Sequence, residues 1–222
     1  MRKIKFIEGD FYHIYNRGVD KRSIFERTED IARFLKIIEE LNTFEPLGGI
    51  HVISSLKKDL IRGSASTNKK LVEFVAYCLN QNHYHFILRP LVDGGVQKFM
   101  HRVSTGYTMY FNEKHKRTGS LFQGRYKAVH VETNEYLLHL SAYVNLNDRV
   151  HKGLNRVWMK KFPYSSFAQY EKEGSAGVKC NTKIILEQFR SRKEYIKYTE
   201  KVLPQMLKRK EQEKLLAQII LE

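Results

Sequence analysis

Two histidines stand one residue apart in Asn82-His83-Tyr84-His85-Phe86-Ile87-Leu88, a stretch that reads as a strand. Side chains alternate across a strand, so His83 and His85 share one face while Tyr84 and Phe86 take the other. Two imidazoles about 7 Å apart along a backbone can converge on one metal ion, with apolar residues holding the strand from behind. The same spacing also suits two polar residues on a wet sheet face, so the pair needs a third ligand. A second set is Tyr143-Val144-Asn145-Leu146-Asn147. Tyr143 and Asn147 are four residues apart and stack on one helix face. Leu137, Leu140 and Val144 form the apolar stripe of that helix, and Tyr143 and Asn147 lie on its flank, within reach of the edge of a core. Tyr136, two turns earlier on the same flank, is a rival, and most of the 13 tyrosines in this chain are expected to be packing residues.

The elements that must position these groups follow from periodicity. Residues 11–18 read as an aromatic and β-branched strand ending in a turn. In residues 28–42, Ile31, Phe34, Leu35, Ile38 and Leu41 recur at helical spacing, with Thr28 as N-cap and two acids after it. Residues 47–56 read as another strand and 57–70 as a polar loop. Strands at 71–79 and 83–89 flank Asn80-Gln81-Asn82, a natural hairpin. Gly94-Gly95 opens a long helix that ends before Arg117-Thr118-Gly119. Residues 125–131 form a further strand, and Asn134 caps a helix that runs to about residue 147. The order, βαβββα then βα, points to an α+β sheet layered with helices. From residue 183 the chain is basic and helical, interrupted by Pro204.

Composition narrows the partners. Of 222 residues, 42% are apolar, enough for a core. Lys and Arg number 39 against 24 acids, a formal charge of +15, which makes a polyanion the first partner to test. No run of apolar residues is long enough to span a membrane. The basic start meets Glu8 and Asp10 before any apolar stretch, unlike a secretory signal. Cys78 and Cys180, far apart in sequence, suit reduced thiols in a cytosol.

Taken together the pieces resemble the HUH single-strand endonucleases, whose His-hydrophobic-His strand matches His83 and His85 and whose single-tyrosine transposases match Tyr143 followed by Asn147. One branch, the REP-associated tyrosine transposases, is similar over about residues 10–170. Its N-terminal strand resembles Tyr12-His13-Ile14-Tyr15-Asn16-Arg17-Gly18 with Ile24-Phe25 following. Gly119-Ser120-Leu121-Phe122-Gln123-Gly124-Arg125-Tyr126 resembles the segment before its last strand, and Pro163-Tyr164-Ser165-Ser166-Phe167 falls in the expected place. There are departures. Asp148 stands where many relatives have proline, and Asn80-Gln81-Asn82-His83 replaces Met-Pro-Asn-His. The 57–70 loop is also longer than the family pattern requires.

The resemblance implies a ferredoxin-like (RRM-like) α+β catalytic domain over residues 1–178, with a basic helical extension over 179–222. It implies a metal-dependent transposase that cleaves and rejoins single-stranded DNA next to a hairpin. His83, His85 and Asn147 would hold Mg²⁺ or Mn²⁺, and Tyr143 would form a 5′-phosphotyrosine. The partners implied are single-stranded and hairpin DNA, with the protein a cytoplasmic, nucleoid-associated prokaryotic monomer or homodimer away from membranes. Arg17, Arg22, Arg102, Arg125 and Lys127 are candidates for phosphate contacts, or ordinary solvated surface. The helix around Lys208-Arg209-Lys210 would add duplex contacts or cover the sheet. Two other readings stand beside this one: a domesticated relative that only binds hairpin DNA or RNA, and a zinc-dependent hydrolase built on His83, His85 and a third histidine such as His130 or His139.

Overall fold

The computed structural model describes residues 4–44, 69–150 and 164–219, with side chains to residue 212. The expected strand at 47–56 and most of the 57–70 loop lie outside the described residues. The alternating stretches form β1 (Phe11–Arg17), β2 (Val72–Asn80), β3 (His83–Pro90) and β4 (Lys127–Val131), joined into one sheet of order β2-β3-β1-β4 with every neighbour antiparallel. The helices α1 (Thr28–Leu41) and α2 (Gly95–Lys114) fall between β1 and β2 and between β3 and β4. Among the described residues this is the βαββαβ alternation of a ferredoxin-like fold, as expected. After it come α3 (Asn134–Asn145), α4 (Asn147–Val150), α5 (Phe167–Glu171), α6 (Lys183–Leu186) and α7 (Arg192–Ile219). No described helix is long and apolar enough to cross a membrane.

The period of two sends alternate residues of each strand to different layers. Tyr12, Ile14, Tyr84, Phe86 and Leu88 are fully buried on one face with Phe34 of α1 and Phe99, Val103 and Tyr107 of α2. On the other face Val75, Ala76, Cys78 and Ile87 meet Leu137, Leu140 and Val144 of α3 and Tyr195, Val202 and Met206 of α7. The register of β2 slips between Phe74 and Ala76, so Phe74 belongs to the first layer while Val75 and Ala76 both join the second. Gly94 takes a left-handed φ of 66° to start α2, and a Cβ on Gly95 would collide with the Leu71 carbonyl oxygen.

Three local expectations are corrected. Arg27, not Thr28, is the N-cap of α1, because the Asp30 carboxylate accepts from the Glu26 and Arg27 backbone N–H groups at 2.9 Å each and closes the helix one residue earlier. Thr133, not Asn134, caps α3: its backbone is extended and its Oγ1 accepts from the Tyr136 N–H at 3.1 Å. Pro204 does not interrupt α7. Proline removes one N–H from the helical ladder, and burial of Val202 and Met206 on either side holds the helix against the second layer. Both cysteines are free and buried.

Candidate active site

The hairpin places His83 and His85 on the second face, and antiparallel pairing brings β1 alongside. Tyr15 lies opposite His85, and Arg17 opposite His83. His13, one pleat along on the same face, is buried, and its Nε2 lies 2.9 Å from His85 Nδ1. One nitrogen donates and the other accepts. Burial pushes the His13 pKa down to about 4, so it is a neutral partner at pH 7. Tyr15 stacks on His85 with ring centroids 5.7 Å apart.

Tyr143 arrives from α3. Its ring meets His85 edge-on at 5.6 Å between centroids and His13 at 6.2 Å. The expected single helix through residue 147 stops at Asn145: Leu146 leaves helical angles (φ −105°, ψ 7°), and Asn147 opens α4. The bond from the Leu146 N–H to the Ala142 carbonyl preserves the turn, so Tyr143 and Asn147 still line one cavity. Asn147 is wholly buried, and its Oδ1 accepts from Asn80 Nδ2 at 2.8 Å. The same Asn80 Nδ2 lies 3.0 Å from His83 Nε2. His83 and Asn147 therefore converge on one point, although they sit on different elements. Asp148, in the place where relatives carry proline, continues α4, and burial raises its carboxyl pKa.

What fixes α3 is a second polar layer. Ser166 Oγ accepts from the Tyr77 N–H at 2.9 Å and donates to Asn145 Oδ1 at 2.6 Å. Asn145 Nδ2 in turn donates to Tyr195 Oη of α7 at 2.8 Å. The helix that carries Tyr143 is thus bolted to β2 on one side and to α7 on the other. The Ser165-Ser166 pair in the quoted motif was the sequence signal for this bolt; nothing in the sequence marked Asn145 or Tyr195.

The cavity has a volume of about 550 Å³ and is lined by His13, Tyr15, His85, Tyr136, His139, Tyr143 and Asn147, closed by Met206, Arg209 and Lys210 of α7. Among the described residues no Asp or Glu is on its walls. His83 is not a lining residue and joins the group through Asn80. Tyr136 shares the cavity, but it is exposed, whereas Tyr143 is half-buried with its ring against His85. His130 pairs with Asp10 at 2.9 Å, and among the described residues no three His, Cys, Asp or Glu side chains gather as a metal-binding group. A larger cavity, about 970 Å³, lies along β2 and has neither histidine nor tyrosine on its walls among the described residues.

The basic candidates divide. Arg17 and Lys127 are exposed on the histidine face, Lys127 paired in register with Tyr15. Arg125 is exposed just before β4. Arg22 holds Asp20 at 3.8 Å beside the short turn after β1. Arg102 stands apart from them: it belongs to α2 on the opposite face and donates to the Thr43 and Leu41 carbonyl oxygens at 2.7 and 3.4 Å.

Residues 54–147 match the family model described as IS200-like transposase. Among solved structures, a REP-associated tyrosine transposase bound to a REP hairpin is similar at 15% identity, with a TM-score of 0.50 over 80% of this chain and 88% of that one. That likeness shows the fold, and with the family match it bears out the resemblance read from the motifs. A tRNA(His) guanylyltransferase from Saccharomyces cerevisiae matches at 10% identity, covering 69% of this chain and 63% of that one with a TM-score of 0.33. At that score the likeness carries no information on function. No curated protein matches the chain.

Proposed function

We propose, taking the IS200-like match over residues 54–147 as premise, that this chain is a transposase that cleaves and rejoins single-stranded DNA beside a hairpin, with Tyr143 as nucleophile. The observation that carries the reading is the edge-on contact of the Tyr143 ring with His85, within a chain whose His83 and Asn147 meet through Asn80. All of these groups come from one chain, so a site complete in a monomer is the simplest arrangement.

The donor set, two imidazoles and a carboxamide oxygen, fits a divalent cation such as Mg²⁺ or Mn²⁺. When bound, the cation supplies withdrawal of charge from the non-bridging oxygens of a phosphodiester. With His85 Nδ1 engaged by His13, Nε2 is the ring nitrogen through which His85 would ligate, and the His13 contact fixes its orientation. Tyr143 Oη attacks phosphorus. The Oη–P bond forms as the P–O3′ bond breaks, the phenolic proton is given up and the departing 3′ oxygen gains one. This leaves a 5′-phosphotyrosine and a free 3′-OH. The adduct keeps the phosphodiester's bond energy, so a second 3′-OH can reverse the step without ATP. Arg17, Arg22, Arg125 and Lys127, together with Arg209 and Lys210 on the cavity wall, offer positive charge for the DNA backbone. A protein with these partners belongs with the nucleoid in the cytoplasm.

The test is a single-stranded hairpin oligonucleotide incubated with the protein and Mn²⁺, then resolved on a denaturing gel. A covalent protein–DNA adduct is expected, lost by more than about a thousandfold in Tyr143→Phe. An adduct that persists there and disappears in Tyr136→Phe moves the nucleophile to the rival. Tight hairpin binding with no adduct identifies a non-transposing binding protein. Zinc-supported turnover with no adduct identifies a hydrolase.

A further inference from the structure

The hydrogen-bond chain around His83 has a fixed polarity. Asn82 Nδ2 donates to the Lys21 carbonyl oxygen at 3.0 Å, which turns Asn82 Oδ1 toward His83 Nδ1 at 2.7 Å. An amide oxygen only accepts, so Nδ1 carries the ring proton and Nε2 bears the lone pair. The group facing that lone pair at 3.0 Å must therefore be a donor, which fixes the Asn80 carboxamide with Nδ2 toward His83. The second Nδ2 hydrogen goes to Asn147 Oδ1. Asn80 is 1% exposed, and this arrangement leaves its own Oδ1 and Asn147 Nδ2 buried without a hydrogen-bond partner among the described residues. A buried amide left half-satisfied on both sides of one contact is a costly arrangement.

We propose that Asn80 is a latch on the cation site: its Nδ2–H occupies the single lone pair of His83 Nε2, the atom through which His83 must ligate, so a divalent cation binds only as that contact opens. This rests on the metal-dependent reading above and deepens it. His83 Nδ1 is committed to Asn82, so the ring has no second ligating atom to offer. Asn147 Oδ1 has two lone pairs and can keep Asn80 while it ligates, so the competition falls on His83 alone. The latch holds both ligands in place in the absence of the cation and weakens the affinity when the cation arrives. The residue in question is one at which this chain departs from the Met-Pro-Asn-His pattern.

The experiment is a Mn²⁺ titration of the full chain, read by the electron paramagnetic resonance signal of free Mn²⁺. Asn80→Leu, close in size and without an N–H, is expected to bind Mn²⁺ about three- to tenfold more tightly than the wild type, the value of one net neutral hydrogen bond. His83→Ala is the control. If the wild type shows no saturable site that His83→Ala removes, the metal reading itself fails and the latch with it. If that site is present and Asn80→Leu binds equally or more weakly, the latch alone fails and Asn80 is a support for its neighbours. A wild-type measurement covers the case in which Asn80→Leu does not fold. The Asn80 side-chain amide protons, followed by NMR, are expected to exchange faster with solvent at saturating Mg²⁺ than without it. Unchanged or slower exchange overturns the latch.

Discussion

The two faces of this sheet are built by opposite rules, although each strand supplies both. Toward α1 and α2 the alternate residues are Tyr12, Ile14, Tyr84 and Phe86, dry and interlocked with Phe34, which contacts Tyr107 at 4.7 Å and Phe86 at 6.3 Å between ring centroids. Toward α3 and α7 the same strands present His13, His83, His85 and Asn80, met by Asn145, Asn147 and Ser166. A buried polar group costs free energy unless it is paired, so the second face is the harder one to build. It has an apolar cluster of its own around Ile87, Leu140 and Val144, and adds to it a chain of specific bonds. The difference divides the roles: the first face is mostly packing, and the second adds to its packing the polar groups of the proposed site.

The comparison breaks most visibly at Phe34. Phe34→Ala should destabilise the fold by about 3–5 kcal/mol, as for other large core aromatics, measured by urea unfolding. At a temperature well below its melting point, the folded fraction should still form the Tyr143 adduct at near wild-type rate. Tyr143→Phe should do the reverse, leaving the unfolding midpoint nearly unchanged while the adduct vanishes. A Phe34→Ala protein that is fully folded yet loses the adduct would mean that the two faces are not separable.

Asp30 is the dry face's own buried charge, and it sharpens the comparison through pH. It accepts from Glu26 and Arg27 N–H, and Lys114 Nζ lies 2.7 Å away. Burial pushes its carboxyl pKa up, but the Lys114 and backbone hydrogen bonds outweigh that and hold it below the ordinary carboxylate range. A depressed pKa contributes stability above the unfolded value, and that contribution is lost as pH falls through the folded one. Asp30→Asn should therefore cost about 3 kcal/mol near neutral pH, with a gap to the wild type that closes below about pH 4. Thermal melts across that range check the sign, and a gap that widens toward acid contradicts it.

Much of this was legible in the sequence because it is local. The His83-Tyr84-His85-Phe86 alternation, the hairpin at residues 80–82 and the apolar stripe of α1 are periodicities that a strand or helix imposes on its own residues. The ligand candidates and Tyr143 could be singled out for the same reason, and the ordered motifs tied them to a family. What stayed hidden was pairing across distance. His13 lies within a motif that was plain to see, yet its contact with His85 exists only because β1 and β3 are antiparallel in one register, 72 residues apart. Asn80 was visible only as a departure. Its meeting with Asn147 depends on where α3 ends, and that depends on the Ser166–Asn145–Tyr195 chain, which no period announces. The helix caps were missed by one residue each, because the competing acceptor, Asp30 in one case and Thr133 in the other, is chosen by backbone angle and not by residue type alone.

The smallest expected effect separates the faces by charge. Arg17 and Lys127 are exposed on the histidine side, whereas the Arg102 guanidinium is committed to carbonyl oxygens at the end of α1 on the other. A cation that neutralises a DNA phosphate releases counterions, and its removal flattens the dependence of affinity on salt by close to one unit of log–log slope. Arg17→Ala with Lys127→Ala should lower the slope for a hairpin oligonucleotide by about two, with little change in melting temperature. Arg102→Ala should leave the slope unchanged and lower the melting temperature, since two carbonyl groups at the end of α1 lose their donor. Fluorescence anisotropy between low and moderate salt measures the slopes. A slope that falls with Arg102 and not with Arg17 and Lys127 would assign the DNA to the α1–α2 side, away from Tyr143, and would leave the histidine face without a substrate.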